Sequence, residues 1–323
     1  MNDVALVAAT GDAHVDALLR EIVARFEAAF SGRVRGYYVI GSYGDASSVS
    51  TSDLDLDIVF KGRFEGEDER TRARELGATL QAQTVVELDI GIGDEEGLRD
   101  GLSPNLKLAG HCVYGEDIRD QFPLMPLVAW TRDRMHSSYY RLGSLFGRTA
   151  PVRAPLAYPD LVGEFFGYDR RPLRLADGSL APGTRDLIRA TGWVATALLA
   201  WRAGRYVARK SECHRMYQEL IGDEWASLLT AIYEDCRQRW NYRIPSDPAD
   251  RAFLRQLCVR TLGFENAFLA AYKTYLLGEL RGADAEGQRF ARETLARMPF
   301  DDAEVLKPSR DISHFPHGQL VDL

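Results

Sequence analysis

Three aspartates stand on alternate positions in Asp53-Leu54-Asp55-Leu56-Asp57. In a strand, residues two apart face the same side, so Leu54 and Leu56 turn one way while Asp53, Asp55 and Asp57 turn the other. Like charges so aligned repel one another and call for a counter-charge. Hard carboxylate oxygens suit Mg²⁺, and Asp53 and Asp55 are placed to chelate one ion jointly. Ahead of them lies Gly41-Ser42, at the end of a strand-like run and followed by polar residues to Ser52. A glycine there lets backbone approach a phosphate, while the Ser42 hydroxyl and the amides after it donate to that phosphate. A short helix after the turn would point its positive end at the same anion. A second pair of acids, Glu87 and Asp89, alternates in the same way further on. If the two strands are neighbours, the acids converge on a site able to hold two Mg²⁺ ions, one activating an acceptor hydroxyl and one neutralising a triphosphate during in-line displacement. Glu87 and Asp89 compete for the role of general base. Asp57 reads as an outer, hydrogen-bonding acid.

The surrounding elements must hold these residues. Val15, Leu18, Leu19, Ile22, Val23, Phe26 and Phe30 repeat at helical spacing, and Ser31-Gly32 ends that helix. Strands are expected over Val34–Ile40, Asp53–Phe60 and Thr84–Ile92, with a helix over 67–83. Beyond Phe122, Pro123 and Pro126 break the chain, and helices are expected over 127–147, 183–204, 211–239, 248–281 and 284–297. Between them, 148–182 is rich in proline and glycine and reads as a long functional or mobile loop. The pattern implies an α+β fold: an α/β domain over residues 1–122, an α-helical domain over 123–300, and an irregular tail over 301–323. The active site is expected in the cleft between the domains.

Composition narrows the class. Hydrophobic residues make up 46% of the 323, and no apolar run approaches the roughly 20 residues of a membrane helix. The N-terminal stretch carries acids early and does not read as a signal peptide. Four cysteines without a CxxC pair and six histidines without HxxxH or HExxH spacing give no zinc pattern, and a cytoplasmic setting is expected. Net charge is −7, but residues 1–122 hold 12 Lys/Arg against 23 Asp/Glu, whereas 123–210 hold 14 against 6. Acids in front and bases behind suit a site that holds cations on one side and phosphates on the other.

Gly41-Ser42, ten residues, then Asp53-Leu54-Asp55-Leu56 resembles the signature of the DNA polymerase beta-like nucleotidyltransferase superfamily, and within it the aminoglycoside (streptomycin/spectinomycin-type) adenylyltransferases. Val86-Glu87-Leu88-Asp89-Ile90 is similar to that family's strand bearing the third acid, a glutamate in the antibiotic enzymes and an aspartate in many others. Leu108 to Asp117 resembles the family's link into its helical domain. Trp201 to Glu212 resembles its helix end, where a lysine after a glycine reaches the triphosphate, which makes Lys210 a candidate nucleotide ligand beside Gly41 and Ser42. The resemblance implies a mixed β-sheet in the first domain and an α-helical bundle in the second, and transfer of AMP from ATP to a hydroxyl, with Mg²⁺ as cofactor and ATP as co-substrate. The acceptor it implies is an aminoglycoside-like antibiotic or related small molecule, with no membrane partner. The basic 123–210 segment opposes a polycationic acceptor. It leaves open an acidic biosynthetic intermediate, a tRNA or protein as in toxin-type enzymes, or an inactive fold used for nucleotide binding. Arg132, Arg134, Arg185, Arg189, Arg202 and Arg205 are expected in solvent, with one or two facing the triphosphate, and Trp193 and Trp201 are expected in the core.

Overall fold

The computed structural model describes residues 4–297 apart from 150, 176 and 283. The tail expected over 301–323 lies outside the described residues. The fold is α+β: a mixed four-stranded sheet with helices, followed by a helical C-terminal region.

Helix α1 (Ala13–Ala29) starts where Asp12 accepts hydrogen bonds from the amides of His14 and Val15, which fills two of the first turn's open donors. Its apolar face, including Leu19, Ile22, Val23 and Phe26, is fully buried. That face packs with one side of the sheet formed by β1 (Val34–Ile40), β2 (Leu54–Phe60), β3 (Leu88–Asp94) and β4 (His111–Gly115). The order is β3-β2-β1-β4. β1 runs antiparallel to both β2 and β4, while β2 and β3 are parallel. Parallel neighbours need a crossover, and α3 (Glu67–Gln83) supplies it. Leu54, Leu56 and Ile58 of β2 are buried in the same core as α1 and α3. The alternation that buries the leucines therefore commits the three aspartates to the opposite face.

After Phe122 the chain becomes helical: α4 (Leu127–Ser144), α5 (Arg185–Ala203), α6 (Cys213–Leu220), α7 (Ala226–Ala231), α8 (Pro248–Arg281) and α9 (Ala285–Arg297). Their apolar faces make one core running from Met135 to Leu295, separate from the core of the sheet. No helix among the described residues is long and apolar enough to cross a membrane.

Several expectations are corrected. The segment 211–239 is not one helix. A 3₁₀ turn at Lys210–Glu212 leads into α6, Gly222 breaks the path at φ +62°, and α7 runs into a π-helical stretch, Ile232–Arg239. The third strand is Leu88–Asp94 rather than Thr84–Ile92, and at its start the Leu88 amide donates to the Gln81 side chain at 2.7 Å. β4 escaped the sequence reading because five residues are too few to display a period. The described part of the 148–182 segment is irregular but packed: Val152, Leu156, Phe165 and Tyr168 are buried in the helical core, and Leu173 is buried as well. Within it, β5 (Pro172–Arg174) and β6 (Leu180–Pro182) form a small hairpin.

Candidate active site

The site begins where β1 ends. Gly41 has φ +66°, and a Cβ built there would lie 2.1 Å from Asp55 Oδ2. Only glycine meets both conditions, so this residue admits a carboxylate as well as a sharp turn. The helix after it, α2 (Gly41–Gly44), is a single turn. Ser42 is buried at its start and lines a cavity together with Asp53, Asp55, Arg134, Trp193 and Lys210.

Asp55 lies opposite Asp89 in the β2–β3 register, and Leu54 opposite Leu88. Residues paired across parallel strands share a face, so Asp53, Asp55, Asp57, Glu87 and Asp89 occupy one side of the sheet. Burial pushes the Asp55 carboxyl up to about 6; Lys210 opposes this, and Asp53 and Asp89 add to it by repulsion. Asp57 is pushed up to about 6 as well, by burial first and then by Asp55 and Asp89. Gly91 makes room for it, since a Cβ there would lie 2.1 Å from Asp57 Oδ1.

The helical region closes the site. α5 ends at Gly204, whose left-handed φ of +62° turns the chain back toward the sheet. The Ser211 hydroxyl donates to Asp45 Oδ2 at 2.8 Å and anchors the returning segment. Lys210 Nζ then lies 3.6 Å from Asp55 Oδ2. Three more contacts fix the loop between Gly44 and Asp53. Thr51 Oγ1 donates to the Asn241 carbonyl at 2.8 Å, Arg237 donates to the Ser47 carbonyl at 2.8 Å, and Arg185 donates to the Thr51 carbonyl.

The two candidates for the third acid differ in their surroundings. Glu87 is held by both Arg171 and Arg185, one guanidinium on each oxygen. Asp89 is exposed and enters no ion pair among the described residues. A second cavity, sharing Asp53 with the first, is lined by Glu87, Asp89, Arg171, Arg174 and Arg189.

Two expectations about the helical segment are overturned. Arg185 is nearly buried, because its guanidinium neutralises Glu87 and caps the Thr51 carbonyl. Arg132 is also largely buried, paired with Glu279, Asp284 and Glu286 where α4, α8 and α9 meet. Trp193 lines the cavity instead of filling the core, while Trp201 packs edge-on against Tyr275 at 6.0 Å. Sequence reasoning missed Arg237, buried at 4% exposure, and the stacked pair His214 and Tyr233 at 4.2 Å. All three line the first cavity. No spacing signal marks them, because they come from α6 and the π-helical stretch that the sequence reads as one helix.

The donor set is chemically suited to Mg²⁺. No three acid, histidine or cysteine side chains among the described residues converge tightly enough to form a complete cage. Mg²⁺ does not need one, since it keeps several waters and takes one or two carboxylates together with substrate phosphates.

No protein-family model matches this chain, and no curated protein sequence matches it. Among solved structures, the chain is similar to the crystal structure of a spectinomycin adenyltransferase from Enterococcus faecialis with ATP and spectinomycin. The TM-score is 0.44 at 10% identity, over 77% of this chain and 98% of that chain.

Proposed function

We propose that this protein is a magnesium-dependent nucleotidyltransferase that moves AMP from ATP to an acceptor hydroxyl. One observation carries the reading: Asp53 and Asp55 share a cavity with Ser42, and a lysine from the helical region reaches to 3.6 Å from Asp55. Carboxylates for cations and donors for phosphate then line one space. The catalytic part is assigned to residues 1–122 and the helical part to 123–300.

Asp53 and Asp55 would hold Mg²⁺, which when bound offsets phosphate charge and lowers the pKa of the acceptor hydroxyl. Ser42 donates to a phosphate oxygen, and Lys210 stabilises the charge that grows on departing pyrophosphate. The acceptor oxygen forms a bond to the α-phosphorus as the bond from that phosphorus to the α–β bridging oxygen breaks. Pyrophosphate leaves with that electron pair. The hydroxyl proton passes to Asp89 and then to water. Asp89 is preferred to Glu87 as base because both Glu87 oxygens are occupied by guanidiniums. Glu87 instead positions Arg185 and, through it, the Thr51 carbonyl beside Asp53.

Titration calorimetry tests the assignment. Wild-type protein should bind ATP with Mg²⁺ and poorly without it, and Asp53→Asn with Asp55→Asn should abolish the metal-dependent part. Undiminished Mg²⁺–ATP affinity in the double variant would sink the metal assignment.

A further inference from the structure

The two cavities of the site meet at Asp53 and Arg189, which line both. Ser42 and Lys210, the donors assigned to the triphosphate, line the first and not the second. In-line displacement puts the attacking and leaving oxygens on opposite sides of the phosphorus, so the acceptor cannot share the place of the departing pyrophosphate. The second cavity also holds Asp89, and its volume of about 520 Å³ lies within the roughly 300–1,000 Å³ of small-ligand sites.

The sheet region contributes Leu88 and Asp89 of β3 and Gln81 of α3 to this second cavity, and the β5–β6 hairpin contributes Pro172, Arg174 and Leu180. The hairpin register sets Arg174 opposite Leu180 and Pro172 opposite Pro182. Partners across two strands share a face, and neighbours along a strand alternate. Pro172, Arg174 and Leu180 therefore stand on one face, which lines the cavity, while Leu173 turns to the other and is buried at 1% exposure. A two-stranded hairpin is marginal in water by itself. This one is held by the burial of Leu173, by Arg171 on Glu87, and by Arg174, which donates to the Thr84 carbonyl at 3.3 Å. Leu180 is nevertheless 63% exposed, an apolar side chain of the lining that nothing in the chain covers.

Charge in the lining is balanced: Arg171, Arg174 and Arg189 stand against Asp53, Glu87 and Asp89. Arg171 and Glu87 already neutralise each other. A molecule of net charge would enter such a space without a counter-charge. Guanidiniums donate hydrogen bonds and carboxylates accept them, whereas a hydroxyl does both. Pro172 and Leu180 add surface for C–H groups. Alternating hydroxyl and C–H surface is the chemistry of a polyhydroxylated ring.

We infer that the β5–β6 hairpin selects the acceptor, and that the acceptor is an uncharged polyhydroxylated ring compound. It lies in the second cavity against Pro172, Arg174 and Leu180 with one hydroxyl at Asp89, and that hydroxyl is the attacking oxygen of the transfer written above. The inference rests on the nucleotidyltransferase reading.

The test uses the full-length protein. Calorimetry first measures Mg²⁺–ATP binding. Pyrophosphate release is then followed with glucose, trehalose and myo-inositol, and with glucosamine and glucuronate as charged counterparts. At least one uncharged compound should exceed both charged ones in kcat/KM by about tenfold or more. Arg174→Glu should move selectivity toward glucosamine and Leu180→Lys toward glucuronate, each by about tenfold, with Mg²⁺–ATP affinity retained. If wild-type protein does not bind Mg²⁺–ATP, the nucleotidyltransferase reading falls and takes the inference with it. If it binds, any of three results overturns the inference alone: a charged counterpart preferred by the wild type, no release with any uncharged compound, or selectivity indifferent to both hairpin variants.

Discussion

The acids of the site differ in what surrounds them, and their predicted behaviour differs accordingly. Glu87 sits between two guanidiniums, so Glu87→Gln leaves the nearly buried Arg185 short of its counter-charge. It should lower stability by about 1–3 kcal/mol, less than for a fully buried pair because Glu87 is partly exposed. Asp89→Asn should leave stability nearly unchanged but reduce kcat by about 10²–10⁴-fold while ATP binding persists, as loss of a general base does. Thermal melts and steady-state rates on the two variants separate the roles, and the reverse pattern would reinstate Glu87 as the base. Asp57 gives a pH test. Its carboxyl is raised to about 6 by burial and by Asp55 and Asp89, so ionising it costs more in the folded state than in the unfolded chain. The metal-free protein should therefore lose stability as pH rises from about 4 through about 6. Asp57→Asn removes that loss and should raise stability by about 1–3 kcal/mol at pH 8, with little gain at about pH 3. An equal effect at both pH values would show that the gain does not arise from ionisation.

At the scale of elements, the site depends on how segments end. β1 stops at a glycine whose missing Cβ admits the Asp55 carboxylate, and α5 stops at Gly204, which turns the following residues back toward the sheet. The Ser211–Asp45 hydrogen bond anchors that return and leaves the Lys210 ammonium beside Asp55. Lys210→Ala should raise KM for ATP and lower kcat, and Lys210→Arg should recover part of the loss. The side chain is 54% exposed, so the melting behaviour should stay within about 0.5 kcal/mol of wild type. A Lys210→Ala enzyme with wild-type kinetics for ATP would remove the lysine from the nucleotide site. Gly41 was legible in the sequence as a turn residue. Its second constraint, the close approach of Asp55, was not, because it involves a residue fourteen positions away.

At the scale of the whole molecule, the cavity lies between the aspartate face of the sheet and the helical region, and the loop between Gly44 and Asp53 is tied to the helical side by Asn241, Arg237, Arg185 and Ser211. A nucleotide bridging Ser42 and Lys210 links both sides, so Mg²⁺–ATP should stabilise the entire chain. At one hundred times its Kd the gain should be about 2.7 kcal/mol, and it should vanish on chelation of Mg²⁺. Differential scanning calorimetry with and without EDTA checks this; an equal shift in both conditions would show nucleotide binding independent of the metal.

The sequence by itself determined the acidic face of β2, since alternation of leucine and aspartate leaves a strand one way to bury its apolar side. It also determined the first helix, by its long apolar period, the change to helices after Phe122, by its breakers and apolar periods, and the helix over 67–83, by residues that are charged and helix-favouring. Local pattern could not decide which acids meet, because register between β2 and β3 is a property of the sheet. It could not place Trp193 in the cavity or the arginines around it, because an amphipathic helix reads the same whether its half-exposed edge faces solvent or a cleft. Nor could it distinguish Glu87 from Asp89, two residues apart on one strand face. Only the tertiary packing, which brings Arg171 and Arg185 to one of them and to no other acid of that face, separates a clamped carboxylate from a free one.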